Sequence, residues 1–196
     1  MRPVISADEA IQRLKDGNAR YVRGESLHPH TAPETRRSLV DGQKPFAAIL
    51  GCADSRAVPE LAFDTSIGEL FVVRVAGNVT SPENNGSLEY AVEHLGVQLI
   101  VVLGHQRCGA VTAALQGYDG PGHIHSIVDA IQPAIEEAKD LDGDPLENAI
   151  HCNVKRMVHL LEQQDPILSK AVQDNQIRVV PACYQLDTGA VEFLGS

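Results

Sequence analysis

The chain has 196 residues, of which 43% are hydrophobic, and a formal net charge of -10 at pH 7. This length and apolar content suffice for one sizeable core, whereas the acidic balance and scattered Lys and Arg exclude a basic surface for nucleic acid or anionic membranes. No apolar run is long enough to cross a bilayer, and residues 1–5 do not resemble a signal peptide. Because four cysteines are too few for a disulfide framework, we expect a cytoplasmic protein.

The predicted elements alternate between helices and strands along the chain. Capping residues and apolar periodicity predict six helices. The first two are residues 6–21, begun by the capping box of Ser6 and Glu9, and residues 87–95, with Ser87 as the cap. They are followed by a helix through Ala110 and Ala114, residues 126–139, a helix from Pro145 through Leu161, and a short helix begun by Asp165 and Pro166. The strands predicted from apolar runs are residues 46–51, residues 99–104 and, as the last strand, residues 176–181. Residues 27–44 show no periodicity and are predicted to form a long surface connection.

This alternation predicts an α/β fold with a mostly parallel central sheet flanked by helices and an N-terminal helical arm. We expect a single domain over residues 1–196. Residues 1–44 would form the helical arm and the connection, and residues 45–196 the α/β core with its metal site. Ligands of such sheets bind beyond the carboxyl ends of the strands.

Two short motifs lie at those strand ends. Cys52 follows the first predicted strand directly, and His105 and Cys108 follow the second. Two thiolates and one imidazole are three ligands of a tetrahedral zinc site, and a fourth position left open is the mark of a catalytic rather than a structural zinc. His105 and Cys108 are three residues apart, so we predict that they share one face at the start of a helix.

Asp54 and Arg56 alternate with Cys52, so in extended backbone the three side chains point the same way. A bidentate contact from Arg56 would keep the Asp54 carboxylate ionised and aimed at water on the zinc. An acceptor in this place helps to form hydroxide, which a zinc hydrolase or hydratase needs at neutral pH.

Other interpretations of these residues are weaker. The phosphatase and sulfurtransferase loop has a Cys followed by five residues and then Arg, whereas Arg56 is only four positions after Cys52. The sequence also has no Cys-x-x-Cys redox motif. A buried cysteine and a histidine at a helix start are also ordinary structural features, and each motif alone is weak. The presence of both motifs, each behind a buried strand, favours the metal site.

Together, Cys52-x-Asp54-x-Arg56 and Gly104-His105-x-x-Cys108-Gly109 resemble the two zinc signatures of the β-class carbonic anhydrases. The resemblance covers nearly the whole chain and includes Gly42-Gln43-x-Pro45 and residues 68–74, 87–91 and 186–189. It implies reversible hydration of CO2 to bicarbonate and a proton by a hydroxide on zinc, with one Zn²⁺ per chain.

The resemblance also implies a role for each matching residue. The metal ligands would be Cys52, His105 and Cys108, the catalytic pair would be Asp54 and Arg56, and the substrate-binding residues would be Gln43, Phe71, Gly77 and Tyr90. In this family part of the pocket comes from a partner subunit, so we expect a homodimer or a homotetramer. Some members carry a second, inhibitory bicarbonate site that needs tryptophan. This chain has no tryptophan and has Ile49 at that position, so we predict an intact Asp54–Arg56 pair without such inhibition.

Two further functions remain open from the sequence. The same scaffold could hydrolyse carbonyl sulfide or carbon disulfide, which are linear like CO2. It could also be a zinc-stabilised bicarbonate-binding module without turnover, although a purely structural zinc would need neither the Asp54–Arg56 pair nor Gln43.

Overall fold

A computed structural model describes residues 5–27, 32–164 and 166–195. Its helices are α1 (Ala7–Val22), α2 (Pro33–Ser38), α3 (Pro59–Ala62), α4 (Pro82–Glu93), α5 (Gly109–Leu115), α6 (Ile124–Ala138), α7 (Pro145–Glu162) and α8 (Ile167–Gln173). Its strands are β1 (Ala47–Gly51), β2 (Leu70–Arg74), β3 (Leu99–His105), β4 (Arg178–Tyr184) and β5 (Val191–Phe193). Part of the predicted connection, residues 28–31, and the predicted helix start Asp165 lie outside the described residues.

The five strands form one sheet in the order β2-β1-β3-β4-β5. All neighbouring strands are parallel except β4 and β5, which are antiparallel. The predicted α/β class and mostly parallel sheet are therefore confirmed. Because β1 and β3 are neighbours at the centre of the sheet, the residues that follow them come together at one edge.

Helices cover both faces of the sheet. Ala48 and Leu50 of β1 belong to the apolar cluster formed with α4 to α8, whereas Ala47 and Ile49 belong to the cluster formed with α1 and α3. All five residues of β1 are buried, as expected for a strand covered on both faces. The central strands that carry the site at their ends are therefore packed between helices on both faces.

Capping explains where several helices begin. The Ser6 hydroxyl accepts a hydrogen bond from the Glu9 amide at 3.2 Å, as the capping box predicts. The predicted start of α4 at Ser87 is wrong. The cap is Ser81, followed by Pro82 in the first turn, whereas the Ser87 hydroxyl lies inside the helix and donates to the Glu83 carbonyl at 2.8 Å.

Other departures from the sequence prediction concern short elements. The connection predicted for residues 27–44 contains the short helix α2, and residues 176–181 are not the last strand, because β5 follows β4. Elements of three to six residues carry too little periodicity to be recognised from sequence. In the part of the chain that the structure covers, no helix combines the length and the apolar character needed to cross a membrane.

Candidate metal centre

Three different elements carry the predicted metal ligands. Cys52 is the first residue after β1, His105 is the last residue of β3, and Cys108 is the N-cap residue of α5. The prediction that His105 and Cys108 share a helix face is wrong, because His105 still belongs to the strand. Between them Arg107 adopts φ 54°, and this left-handed turn brings the Cys108 side chain back towards the strand end.

The three side chains converge in the interior of the protein. Their ligand atoms all lie within 4.8 Å of one another, and the two sulfurs of Cys52 and Cys108 are 4.0 Å apart. Only 5% of Cys52, 0% of His105 and 1% of Cys108 is exposed. Such a group of two thiols and one imidazole could hold a metal ion.

A hydrogen bond at one ring nitrogen of His105 leaves the other nitrogen available as a ligand. Its Nδ1–H donates to the Gln106 carbonyl at 2.9 Å, because a carbonyl oxygen can only accept. In the neutral imidazole the proton therefore lies on Nδ1 and the lone pair on Nε2. Nε2 is buried and has no hydrogen-bond partner among the described residues, which is costly for a polar atom unless a ligand binds it.

The two thiols strongly affect each other's protonation. The hydrogen bond from the Cys108 thiol lowers the pKa of Cys52, while the same contact and burial raise the pKa of Cys108. Amide N–H groups of Asp54 and Gly77, at 3.5 and 3.3 Å from the Cys52 sulfur, also lower the pKa of Cys52. The site thus favours one thiolate on its own, and a bound cation would favour the second.

The predicted Asp54–Arg56 pair forms beside these ligands. Arg56 donates from Nη2 to Asp54 Oδ2 at 2.7 Å and holds the pKa of the Asp54 carboxyl well below its usual range. Asp54 Oδ2 lies 3.8 Å from His105 Nε2, and the Asp54 side chain is 18% exposed. The ionised carboxylate therefore lies between the buried ligand group and solvent.

Arg74, at the end of β2, holds the loop that carries Cys52 and Asp54. Its guanidinium donates to the carbonyls of Cys52 at 2.8 Å, Asp54 at 2.6 Å and Ala57 at 3.3 Å. No sequence pattern indicates this contact, because it joins a side chain to backbone atoms of a loop about twenty residues away.

Gly77 lies in a 3₁₀ turn over Ala76–Asn78 and contacts both the site and α7. Its N–H donates to Cys52 Sγ at 3.3 Å, and its carbonyl accepts from Asn153 Nδ2 at 2.9 Å. Asn153 was not among the predicted site residues. The signal that could have revealed it is an amide among apolar residues on the buried face of the predicted helix.

The other predicted substrate-binding residues lie away from this group within one chain. Gln43 is exposed and precedes β1, whereas Cys52 follows the opposite end of that strand. Phe71 pairs with Ala48 near the start of β1, and its ring centroid is 6.3 Å from that of Tyr90, which is 48% exposed. A single chain therefore does not bring these three side chains to the ligand group.

Comparisons with known proteins agree with this geometry. The family model described as carbonic anhydrase matches residues 47–191. A relative named carbonic anhydrase 2 from Mycobacterium tuberculosis is 39% identical over 184 residues, which are 92% of this chain and 89% of the relative. The chain belongs to the carbonic anhydrase family. The carbonic anhydrase of Mycolicibacterium smegmatis is 38% identical and covers 94% of this chain and 91% of its own length.

Solved structures indicate to which class of carbonic anhydrases the chain belongs. The β-carbonic anhydrase CafA of Aspergillus fumigatus superposes with a TM-score of 0.75 at 27% identity, covering 95% of this chain and 89% of its own. The prediction that this protein is a β-class carbonic anhydrase, and hence a member of an enzyme family, is confirmed.

Proposed function

We propose that this carbonic anhydrase catalyses the reversible hydration of CO2 to bicarbonate and a proton, with one zinc ion per chain held by Cys52, His105 and Cys108. The observation that supports this most directly is a buried group of two thiols and one imidazole next to an Asp54–Arg56 pair. A purely structural metal site would need no ionised carboxylate at its open side.

The geometry fits zinc. Tetrahedral coordination with Zn–S bonds of about 2.3 Å separates two sulfurs by about 3.8 Å, close to the 4.0 Å between Cys52 and Cys108. The free lone pair of His105 Nε2 points into the same buried group. Three protein ligands leave one tetrahedral position for water or substrate.

Zinc bound here would supply Lewis acidity, which makes a nucleophile available from water at neutral pH. Two thiolates offset the positive charge of the ion, so it would acidify water less. We propose that the neighbouring residues compensate for this weaker acidification. Asp54 accepts a hydrogen bond from the reacting water and orients it, and Arg56 keeps this carboxylate ionised. Cys52, His105 and Cys108 are buried, whereas the Asp54 side chain is 18% exposed, so we propose that water reaches the site from the side of Asp54.

We infer that Gln43, Phe71 and Tyr90 bind substrate at a pocket shared between two copies of the chain. Gln43 and Tyr90 are exposed in the isolated chain, and Phe71 is half-buried beside Tyr90. A homodimer or homotetramer would cover this aromatic surface and bring it towards the partner's ligand group. The role of Gly77 in substrate binding also stays a prediction, as does a cytoplasmic location.

Stopped-flow CO2 hydration on protein of known zinc content tests the proposal. We expect turnover that scales with bound zinc and rises from neutral to mildly alkaline pH. Full zinc occupancy without CO2 hydration would contradict it. In that case, turnover of carbonyl sulfide or carbon disulfide would assign a hydrolase, and bicarbonate binding without turnover would assign a binding module.

A further inference from the structure

Asn153 is a buried amide on an apolar helix face. It lies in the middle of α7 with 1% of its surface exposed, and Ile150, Val154 and Met157 beside it on this face are also buried. A polar side chain costs free energy in such a place unless its hydrogen bonds are satisfied.

Only one end of this amide is satisfied within the described part of the chain. Nδ2 donates to the Gly77 carbonyl at 2.9 Å, whereas the buried Oδ1 has no hydrogen-bond partner there. A half-satisfied buried amide contributes little to stability, because the loss from the unpaired oxygen offsets the gain from the bond. Stability alone therefore does not account for an amide at this position.

Gly77 connects Asn153 to the metal centre. It has φ 71°, and a Cβ here would lie 2.7 Å from Ile131 Cδ1, so the turn requires glycine. In this conformation the Gly77 carbonyl contacts Asn153 while the Gly77 N–H contacts Cys52 Sγ at 3.3 Å. The carbonyl and the N–H lie in successive peptide planes joined at the Gly77 Cα, so a hydrogen bond that holds the carbonyl restricts the backbone angles that direct the N–H.

We propose that Asn153 is a positioning residue for the metal centre. It holds the turn over Ala76–Asn78 so that the Gly77 N–H stays directed at the Cys52 sulfur. This N–H disperses the charge of a coordinating thiolate and orients its lone pairs towards the ion. The inference rests on the proposed zinc centre and adds a residue that does not touch the ion.

The test compares Asn153→Leu with a matched control, Asn18→Leu. Asn18 is also a buried asparagine, but its three hydrogen bonds join α1 to other backbone segments. Its Nδ2 donates to the Ala62 and Gly189 carbonyls at 2.9 and 2.8 Å, and its Oδ1 accepts from the Val191 amide at 2.8 Å. Both asparagines are buried, but only Asn153 is connected to Cys52.

Three measurements are made on each protein: zinc affinity by chelator competition, the thiolate-to-metal charge-transfer absorption after Co²⁺ substitution, and the unfolding midpoint of the metal-free chain. Losing a group that orients a metal ligand typically weakens metal affinity about 10–100-fold, and we expect this range for Asn153→Leu. The charge-transfer band should shift, and the metal-free midpoint should stay equal or rise. Asn18→Leu should lower the midpoint and leave zinc affinity and the band unchanged.

Asn153→Asp is a second variant of nearly the same shape. Its carboxylate would face the Gly77 carbonyl without a donor, so we expect at least as large a loss of zinc affinity as in Asn153→Leu. Zinc affinity and a Co²⁺ spectrum equal to those of the wild type in both variants would overturn the inference alone. A wild-type chain that takes up no zinc would overturn the proposed function and this inference with it.

Discussion

Arg56 contacts both carboxylate oxygens of Asp54, donating from Nε to Oδ1 at 3.0 Å and from Nη2 to Oδ2 at 2.7 Å. The Arg56 amide also donates to Oδ1, at 2.9 Å. Because the Arg56 side chain is 55% exposed, this pair adds little to stability, and its importance lies in orientation. The planar guanidinium fixes the plane of the carboxylate beside His105.

Asp54→Asn is therefore expected to lose activity without losing metal. An amide keeps the shape of the carboxylate, but it is neutral and presents only one acceptor oxygen. We expect the kcat for CO2 hydration to fall about 100-fold or more, the usual contribution of a positioned proton acceptor. Stopped-flow rates are to be measured together with zinc content, which should match that of the wild type.

Arg56→Lys and Asp8→Asn serve as comparisons for this variant. Lysine keeps the positive charge but not the two parallel donors, so Arg56→Lys should lose part of the activity. Asp8 accepts from Arg178 at a distance from the site, and both side chains are more than half exposed, so Asp8→Asn should leave turnover unchanged. Full activity in Asp54→Asn would rule out the proposed role of the carboxylate.

Cys108→Ser should remove the metal rather than only slow the reaction. It replaces one of the three proposed zinc ligands. We therefore expect a loss of zinc affinity larger than the about 10–100-fold that follows loss of a group supporting a ligand. Zinc content after dialysis against a weak chelator measures this. Cys152→Ser is the control, because Cys152 is half-buried on α7 and lies outside the ligand group. Retention of zinc by Cys108→Ser would show that the ligand set is wrong.

Much of the site could be predicted because it follows strong local patterns. Cys52 and His105 come directly after apolar runs, and parallel strands bring their carboxyl ends together whatever the loops do. The Asp54–Arg56 contact joins residues only two positions apart, so their spacing was enough to predict it.

Contacts between distant segments could not be predicted in this way. Asn153 lies 76 positions from Gly77, and the contact forms only because α7 packs over the 3₁₀ turn. The same limit applies to the strand β5, whose three residues form a strand because β4 is already in place beside them. Gln43, Phe71 and Tyr90 depend on a further step, the proposed assembly of two chains.

The same substitution of glycine by alanine can be compared at a crowded helix position, Gly17, and at an open one, Gly86. Both lie inside helices, where alanine is favoured over glycine by about 0.5–1 kcal/mol. At Gly17 a Cβ would meet the Phe63 carbonyl oxygen at 1.9 Å, whereas at Gly86 nothing lies within 4 Å. We expect Gly17→Ala to reduce the free energy of unfolding by about 1–3 kcal/mol and Gly86→Ala to raise it slightly, both measured by urea denaturation. Equal shifts in the two variants would contradict the close approach of α1 to Phe63.

Tyr184 is expected to contribute to the loss of stability at alkaline pH. Its side chain is 5% exposed, and burial together with the Tyr21 hydroxyl at 3.3 Å raises the pKa of Tyr184 to about 12. An unfolded chain releases this proton near pH about 10, so the stabilising contribution is complete below about pH 10 and is lost as the pH rises towards about 12. The free energy of unfolding, measured with urea at increasing alkaline pH, should therefore decline less steeply in Tyr184→Phe than in the wild type. Tyr118→Phe is the control, because Tyr118 is a half-buried tyrosine in the loop after α5. Its free energy of unfolding should decline with pH as in the wild type. A parallel decline in all three proteins would exclude Tyr184 as the cause.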